Sequence, residues 1–275
     1  MKNSHQEIKQ RHITVIVPVG RIDGYLIETL KSIANQTYKD YDVIFICRVT
    51  DMVELQECLK NQSVPFEWQV IGAKLGGFAF ALNLGLNCSC GQFIARWDAD
   101  DLCDNNRFER QIQAFEEDPF LCVIGTKVEL IDENGILIKN HKFKFFSDNL
   151  SIRNALRYRQ TFAHSAVMFR SSILYQYKGY LYGNSCEDHE LYIRLARNLD
   201  LKFANLGDVV TYYRRHNNQL TTSGKEYEQF CDICAFLISE FLRSGHPMYL
   251  IGCMANHSFA RKGRHLFRQL MQKFG

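Results

Sequence analysis

The feature of this 275-residue sequence that most restricts its fold is a regular alternation of strand-like and helix-like segments over about the first 115 residues. Four short runs rich in β-branched and apolar residues have the length of buried strands: residues 13–19, 41–47, 66–71 and 92–97. Four segments with apolar residues at helical spacing alternate with them: residues 23–33, 50–59, 76–86 and 105–117. This order predicts βαβ units and a parallel sheet, so we expect an α/β fold.

The second half of the chain is less regular. Its expected elements are strands at residues 121–131, 136–139, 161–170 and 202–213 and a helix at residues 188–198. We expect a mixed extension of the same sheet, because no low-complexity linker separates the two halves. From residue 227 onward the pattern is helical. The sequence therefore predicts a main domain at residues 1–225 and a basic helical extension at residues 226–275.

Three polar segments directly follow predicted strands. They are residues 18–21, 47–51 and 98–101, after the first, second and fourth strands. In open parallel sheets, ligands bind beyond the carboxyl ends of the strands. We therefore expect these segments to meet at one ligand-binding edge.

The last of these segments, Asp98-Ala99-Asp100-Asp101, places three carboxylates within four residues. Carboxylates this close repel one another unless a cation, hydrogen-bond donors or solvent screen them. Hard oxygen ligands of this kind suit Mg²⁺ or Mn²⁺, with substrate phosphates as further ligands. The alternative is helix capping by Asp101 or Asp104. Capping accounts for one carboxylate but not for three, so metal and phosphate binding is the favoured interpretation.

A second acidic pair, Glu187 and Asp188, begins a predicted helix. A carboxylate at a helix N-terminus is stabilised by about 0.3–1 kcal/mol through the helix dipole, which is the structural interpretation. The functional interpretation is a general base directed at an acceptor hydroxyl. The pair alone does not decide between the two.

Residues 93–101 (FIARWDADD) resemble the strand and Asp-x-Asp motif of the family 2 inverting glycosyltransferases, which have the GT-A fold. Further segments match motifs of that family in the same order: residues 15–19, 30–37, 76–85, 164–170, 187–192 and 213–216. The match spans about residues 12–223. Within the family, the sequence resembles enzymes that build bacterial surface polysaccharides. It implies a Rossmann-like nucleotide-binding sheet with a mixed C-terminal extension, followed here by C-terminal helices.

The resemblance also implies roles for individual residues. Asp100, with Asp98, would bind the Mn²⁺ or Mg²⁺ that bridges the donor diphosphate. Asp188, beside Glu187, would deprotonate the acceptor hydroxyl, which attacks the anomeric carbon with inversion. The residues implied in donor binding are Pro18, Val19, Arg21, Asp51, Asn83, Arg96, Asp98, His164, Arg214 and His216. Arg214 and His216 would close over the phosphates.

Two departures from the family pattern concern the donor. The paired aspartates that usually follow the second strand are replaced by residues 46–51 (ICRVTD), and the first loop lacks the common Tyr-Asn. A UDP-sugar is therefore only the default donor. The Gln-x-x-Arg-Trp motif of processive synthases is absent. This predicts transfer of a single hexosyl or N-acetylhexosaminyl unit to a glycan or lipid-linked acceptor, as in lipopolysaccharide or capsule synthesis.

Two other functions remain as alternatives at this point. One is a nucleotidyltransferase, which also uses acidic metal sites on α/β sheets. Such an enzyme would be expected to have a basic, glycine-rich triphosphate loop after the first strand, and here only Gly20 and Arg21 match that pattern. The other is a catalytically silent protein that binds nucleotide-sugars. Retention of Asp98, Asp100 and Asp188 together argues against the silent protein.

Most of the ten cysteines stand singly in apolar runs, where cysteine behaves as a small hydrophobe. With no export signal at residues 1–11, we expect reduced thiols and a cytoplasmic location. Cys231, Cys234, Cys253 and His257 have spacing typical of a zinc site. Because the first two lie on an apolar helical face, core packing is favoured over zinc.

The net charge of +3 is too small to indicate a nucleic-acid partner. From residue 241 onward the chain nevertheless has six lysines and arginines and no acidic residue. Residues 261–274 have a basic and an apolar helical face. Such a helix lies on an anionic membrane surface, here the inner face of the cytoplasmic membrane, or packs on the catalytic domain; the pattern fits both arrangements equally.

Overall fold

The computed structural model describes residues 8–139, 143–181, 186–216 and 226–256. In the first half, parallel strands alternate with helices: β1 (Lys9–Pro18), α1 (Gly24–Ala34), β2 (Tyr41–Arg48), α2 (Met52–Asn61), β3 (Glu67–Ala73), α3 (Phe78–Cys88) and β4 (Gly91–Arg96). Helix α1 begins where the Asp23 carboxylate accepts hydrogen bonds from the N–H groups of Tyr25 and Leu26. The predicted parallel sheet is confirmed.

The second half adds the following elements: β5 (Leu102–Cys103), α4 (Arg107–Glu117), β6 (Leu121–Ile131), α5 (Asn149–Leu156), β7 (Met168–Arg170), α6 (Ser171–Gln176), α7 (Glu187–Ala196), β8 (Lys202–Arg214), α8 (Glu226–Ser244) and α9 (Met248–Asn256). All strands belong to one sheet in the order β3-β2-β1-β4-β7-β6-β8-β5. Strand β7 is antiparallel to both β4 and β6 and so joins the two halves. The expected mixed extension of the sheet is therefore confirmed.

One predicted strand, at residues 161–170, is mostly wrong. Only Met168–Arg170 pairs in the sheet, and a 3₁₀ turn occupies His164–Ala166. Side chains donate hydrogen bonds to the carbonyl groups of this segment: Asn205 Nδ2 donates to Thr161 O, and Arg107 Nη1 donates to Ser165 O. The segment is thus held at the edge of the site by side-chain hydrogen bonds instead of strand pairing.

The expected partner strand at residues 136–139 is reduced to a single bridge between Ile131 and Leu137. Asp132 explains the tight turn that precedes it, because its carboxylate accepts hydrogen bonds from the N–H groups of Asn134 and Ile136. The predicted strand beyond this turn is wrong.

Helices cover both faces of the sheet. One face buries apolar side chains of α1, α2 and α4, such as Leu30, Leu55 and Phe108. The other buries side chains of α3, α5, α7 and the two C-terminal helices, such as Leu191 and Leu237. Each such side chain contributes about 1.5–3 kcal/mol when fully buried. The sheet is thereby fixed between two apolar layers, and its carboxyl edge is left for polar loops.

The C-terminal helices α8 and α9 pack on the main domain. Phe236, Leu237 and Tyr249 belong to the same apolar cluster as the sheet. The division at residue 225 stays a prediction. In the part of the chain that the structure describes, no helix is long and apolar enough to cross a membrane. The basic amphipathic segment at residues 261–274 lies outside the described residues.

Candidate active site

The acidic segment leaves the sheet at the end of β4 and turns back toward α1. Its turn is fixed at one carbonyl, because Trp97 Nε1 and Thr29 Oγ1 each donate a hydrogen bond of 3.0 Å to Asp101 O. As a result, one carboxylate oxygen each of Asp98, Asp100 and Asp101 lies within 4.8 Å of the other two. We call residues 98–101 the acidic loop.

Each carboxylate of the acidic loop has a different protein partner. Asp98 Oδ1 lies 2.6 Å from Arg96 Nη2, and Asp100 Oδ2 lies 2.9 Å from His216 Nε2. Asp101 Oδ1 accepts the backbone N–H of Arg214 at 2.9 Å. The end of β8 is therefore attached to the loop through the Arg214 N–H and the His216 ring.

The acidic loop fits a hard divalent cation. Asp101 is fully buried, and among the described residues its Oδ2 has no hydrogen-bond partner. Burial, together with the charges of Asp98 and Asp100, raises the pKa of Asp101 well above its usual range. Burial and the charge of Asp98 also raise the pKa of Asp100. Such a crowded, under-compensated carboxylate group is suited to holding a cation with oxygen ligands.

Arg214 lies against the acidic loop with its side chain fully buried. Its guanidinium donates to Asp100 O at 2.9 Å, to Glu133 O at 3.2 Å and to Glu28 Oε2 at 2.5 Å, and it stacks on Tyr25. In this structure the guanidinium therefore holds the loop in place. Closure of Arg214 over donor phosphates stays a prediction.

Arg96 links the acidic loop to the second acidic pair. Its side chain is buried under the Phe78 ring, 4.9 Å from the ring centre. Among the described residues, its Nε and Nη1 have no hydrogen-bond partner. Burial raises the pKa values of Glu187 and Asp188, and the positive charge of Arg96 partly opposes that rise. The same Phe78 ring packs edge-on against His164, whose Nδ1 lies 3.7 Å from Glu187 Oε1, so the two acidic groups are neighbours although they are about 90 residues apart in sequence.

Glu187 and Asp188 occupy the first two positions of α7. Burial and the neighbouring Asp188 raise the pKa of Glu187 to about 8. Burial raises the pKa of Asp188 to about 6, although hydrogen bonds from the His189 N–H and the Gln160 amide oppose that rise. The two form a coupled pair that retains one proton near neutral pH, mainly on Glu187. Asp188 is then the ionised member and the stronger candidate for a general base.

His164 completes the neighbourhood of this pair. Its Nε2 lies 2.9 Å from the Tyr180 hydroxyl, and its Nδ1 lies 3.7 Å from Glu187 Oε1. Burial and the charge of Arg96 lower the pKa of His164 well below its usual range. The ring is therefore neutral, and its contact with Glu187 is not an ion pair.

Comparison with known proteins agrees with this arrangement. Residues 14–179 match the family model described as Glycosyl transferase family 2. The chain belongs to this family. The glycosyltransferase is 30% identical over 245 residues to the O-antigen biosynthesis glycosyltransferase WbnJ of Escherichia coli, covering 88% of this chain and 93% of the relative. It is 33% identical over 138 residues to the amylovoran biosynthesis glycosyltransferase AmsE of Erwinia amylovora, covering 50% of each chain.

Solved structures share the fold of this glycosyltransferase. TarS of Staphylococcus aureus in complex with UDP-GlcNAc superimposes with a TM-score of 0.64 at 17% identity, covering 84% of this chain and 66% of that chain. The mannosyltransferase PcManGT of Pyrobaculum calidifontis, in complex with GDP-Man and Mn²⁺, gives 0.60 at 16% identity, covering 89% and 68%. The predicted GT-A fold is confirmed. Membership of the family identifies the enzyme as a sugar transferase, and the nucleotidyltransferase alternative is wrong.

Other predicted donor-binding residues lie where β1 and β2 end. The Val19 N–H donates to Ile46 O at 2.7 Å, which holds the first loop of the glycosyltransferase against β2. Asp51 accepts hydrogen bonds from Arg48 Nε at 2.7 Å and Thr50 Oγ1 at 2.8 Å, so its carboxylate is already engaged locally. Pro18 is half-buried and Arg21 exposed at the same edge. Their contacts with a nucleotide stay predictions.

Asn83, also predicted to bind the donor, is engaged on both sides of its amide. Its Nδ2 donates to Tyr180 O at 2.7 Å, and its Oδ1 accepts the Tyr180 N–H at 2.9 Å. These bonds tie α3 to the segment that leads into α7. Asn83 therefore positions the Tyr180 hydroxyl against His164, and a direct donor contact stays a prediction.

Sequence reasoning did not find three residues that shape the site. Tyr180 and Gln160 contact His164 and Asp188 from loops with no recognisable pattern. Arg107 is fully buried and donates to Arg96 O, Ser165 O and Val167 O at 2.9–3.1 Å. The one sequence signal for Arg107 was its position directly before the apolar Phe108, at the start of an amphipathic helix.

All ten cysteines are free thiols in this structure. Cys234 and Cys253 face each other between α8 and α9, each with its sulfur about 3.8–3.9 Å from the other's carbonyl oxygen. Cys231 is exposed, and His257 lies outside the described residues. The zinc interpretation of this set stays untested.

Proposed function

We propose that this glycosyltransferase transfers a single sugar from a nucleoside diphosphate sugar to an acceptor hydroxyl with inversion at the anomeric carbon. The observation that carries the proposal is the position of Arg96. It pairs with Asp98 at 2.6 Å, and the Phe78 ring against which it packs also contacts His164, which lies 3.7 Å from Glu187 Oε1. A site for phosphate-bound metal and a site for proton removal are thereby adjacent, as a one-step displacement requires.

Asp188 is the proposed general base. A base works best when its pKa lies near the working pH, and burial gives Asp188 a pKa of about 6. Its carboxylate takes the proton of the acceptor hydroxyl as that oxygen bonds to the anomeric carbon. The bond between this carbon and the diphosphate oxygen breaks, and the nucleoside diphosphate leaves with the electron pair. Attack from the face opposite the leaving group inverts the configuration.

Glu187 has a supporting part in this proposal. Because its pKa is raised to about 8, it is largely protonated at neutral pH and donates a hydrogen bond without competing for the acceptor proton. The neutral ring of His164, 3.7 Å from Glu187 Oε1, adds no positive charge that would lower that pKa.

Asp98 and Asp100 are the proposed metal ligands, with Asp101 beneath them and His216 adjoining Asp100. The bound Mn²⁺ or Mg²⁺ would supply Lewis-acid stabilisation of the departing diphosphate, worth several kcal/mol. The Arg96 guanidinium, paired with Asp98, would add positive charge beside the donor diphosphate. Pro18, Val19, Arg21 and Asp51 border the proposed nucleotide pocket.

The relatives support a surface-polysaccharide acceptor. WbnJ is named for O-antigen biosynthesis and AmsE for amylovoran biosynthesis, and TarS and PcManGT have been solved with UDP-GlcNAc and with GDP-Man and Mn²⁺. We infer a glycan or lipid-linked acceptor of a bacterial surface polysaccharide. UDP remains the default nucleotide.

A donor panel tests the proposal. Thermal unfolding is measured with UDP- and GDP-sugars in the presence and absence of Mn²⁺, and the product of the active donor is examined by NMR. We expect at least one nucleotide-sugar to raise the midpoint only with metal, and a product with inverted anomeric configuration. No response to any donor, or a product with retained configuration, would contradict the proposal.

A further inference from the structure

A second group of metal-type side chains lies at the opposite edge of the sheet from the acidic loop. His12 is in β1, Asp42 is in β2, and Cys90 immediately precedes β4, so they come from three neighbouring strands at their amino ends. One ligand atom of each lies within 4.8 Å of the other two. At about 3.3 Å per residue along β1, this group is about 20 Å from the active-site edge.

The His12 ring is oriented by the Asp40 carboxylate, which bonds to the nitrogen that faces away from Asp42. The ring is 5% exposed, with Nδ1 2.6 Å from Asp40 Oδ1 and Nε2 2.8 Å from Asp42 Oδ1. A carboxylate bonded to one ring nitrogen is the usual outer partner of a metal-binding histidine, because it fixes the tautomer and directs the other nitrogen at the ion. Asp40 has that position here, and Nε2 faces Asp42.

Asp42 is also held in place before any ion binds. Thr14 Oγ1 donates to Asp42 Oδ1 at 2.8 Å and accepts the Gly91 N–H at 3.1 Å. The same hydroxyl therefore connects the carboxylate to the chain beside Cys90. Cys90 is half-buried and Asp42 has 21% of its side chain exposed, so an ion can reach the group from solvent.

We propose that His12, Asp42 and Cys90 bind one divalent cation of the Zn²⁺ type, with solvent as the fourth ligand. Nitrogen, oxygen and sulfur donors suit Zn²⁺ and Co²⁺, whereas Mg²⁺ and Mn²⁺ prefer oxygen donors. An ion about 2.0–2.3 Å from each ligand has its ligands about 3.3–3.8 Å apart, which side-chain movements of less than about 1.5 Å achieve here. Coordination would join β2, β1 and β4 at their amino ends.

The competing explanation is a metal-free clamp, in which a protonated His12 joins Asp40 and Asp42 by hydrogen bonds. It accounts for the two carboxylates, and it gives the Cys90 thiol no part. Thiolate ligation is therefore the property that separates the two explanations.

Cobalt substitution tests this directly in the full chain. The metal-free protein is titrated with Co²⁺, and the near-ultraviolet charge-transfer absorption that only thiolate ligation produces is recorded. We expect one equivalent of Co²⁺ to give this band, and Zn²⁺ to remove it. Cys90→Ser should abolish the band, whereas Cys88→Ser, two residues away and outside the group, should retain it. The acidic loop offers only oxygen and imidazole ligands and cannot produce the band.

Two further variants locate the site. Asp40→Asn should keep the band and weaken Co²⁺ binding by about 10–100-fold, as loss of an outer-shell partner does. Cys234→Ser should leave both band and affinity unchanged. No band in the parent protein, a band that survives in folded Cys90→Ser, or a band lost in Cys234→Ser would each overturn the proposal. Sugar transfer by Cys90→Ser with Mn²⁺ should equal that of the parent, so this test is independent of the proposed function.

Discussion

The two carboxylate groups of the active site differ in how the protein compensates their charge. The acidic loop is partly exposed, and protein donors contact all of its carboxylates: Arg96, His216 and the N–H of Arg214. Glu187 and Asp188 are less exposed than Asp98 and Asp100, and no arginine or lysine bonds to either among the described residues. Their pKa values rise to about 8 and 6 as a result.

This difference suits the two groups to two chemical tasks, metal binding at the acidic loop and proton removal at Glu187 and Asp188. Three converging oxygens with an uncompensated buried atom at Asp101 suit a permanent positive charge, which a metal ion provides. A buried pair with raised pKa values suits a proton that arrives and leaves during the reaction. Arg96 pairs with Asp98 and its charge also acts on Glu187 and Asp188, so substitution of Arg96 measures how far metal binding and proton removal depend on each other.

A large effect is expected for substitution in the acidic loop itself. Asp100→Ala removes a proposed metal ligand, and loss of several kcal/mol of charge stabilisation should lower kcat/KM by about 10³-fold. Steady-state kinetics with Mn²⁺ measure this. Asp208→Ala, which removes an exposed ion pair with Arg110, is the matched control and should retain full activity. A loss of less than tenfold in Asp100→Ala would show that this carboxylate does not hold the metal.

Arg96→Gln should affect both groups at once. Loss of a charged hydrogen-bond donor, worth about 1.5–3 kcal/mol, lowers kcat/KM by about 10–150-fold. Because the guanidinium lowers the pKa values of Glu187 and Asp188, the acid limb of the pH–rate profile should also move to higher pH. Arg96→Lys keeps the charge without the planar fork and should restore the pH profile more than the rate. A parental pH profile in Arg96→Gln would separate Arg96 from the acidic pair.

Gln160→Ala tests the acidic pair alone. The Gln160 amide lowers the pKa of Asp188, so its removal raises that pKa. A general base acts in its deprotonated form, and activity therefore rises with pH through the pKa of Asp188. The midpoint of this rise should move to higher pH, with a several-fold loss near pH 6 and an unchanged plateau at alkaline pH. Gln113→Ala, at an exposed site on α4, should leave the profile in place; an unshifted profile in Gln160→Ala would contradict the assignment.

The smallest effect on activity is expected at Asn83. Asn83→Ala removes two hydrogen bonds to Tyr180 and should lower the free energy of unfolding by about 1–3 kcal/mol, with the donor KM nearly unchanged. Asn83→Asp keeps the bond to the Tyr180 N–H and should give an intermediate loss of stability. Denaturant unfolding and donor kinetics measure both quantities. A tenfold rise in donor KM with parental stability would instead place Asn83 in direct contact with the donor.

Sequence patterns predicted the local features of this molecule well. The period of apolar residues located β1 to β4 and the helices between them, and strand ends identified the acidic loop. The contacts that join distant segments were not predictable. The Arg214 N–H bonds to Asp101, 113 residues away in sequence. Arg107 donates a hydrogen bond to the Ser165 carbonyl, which would otherwise be available for strand pairing. Such contacts depend on tertiary packing, which leaves no periodic trace in sequence.

Asp188→Asn tests most directly whether proton removal and metal-dependent donor binding are separate tasks. Donor binding is measured by calorimetric titration with Mn²⁺ and the nucleotide-sugar that the panel identifies, and turnover is measured on the same preparation. We predict that turnover falls by about 10²–10⁴-fold, the usual contribution of a general base, while donor affinity stays within about threefold of the parent. Retained turnover, or donor affinity lost together with turnover, would contradict the assignment of Asp188 as the base beside an independent metal site.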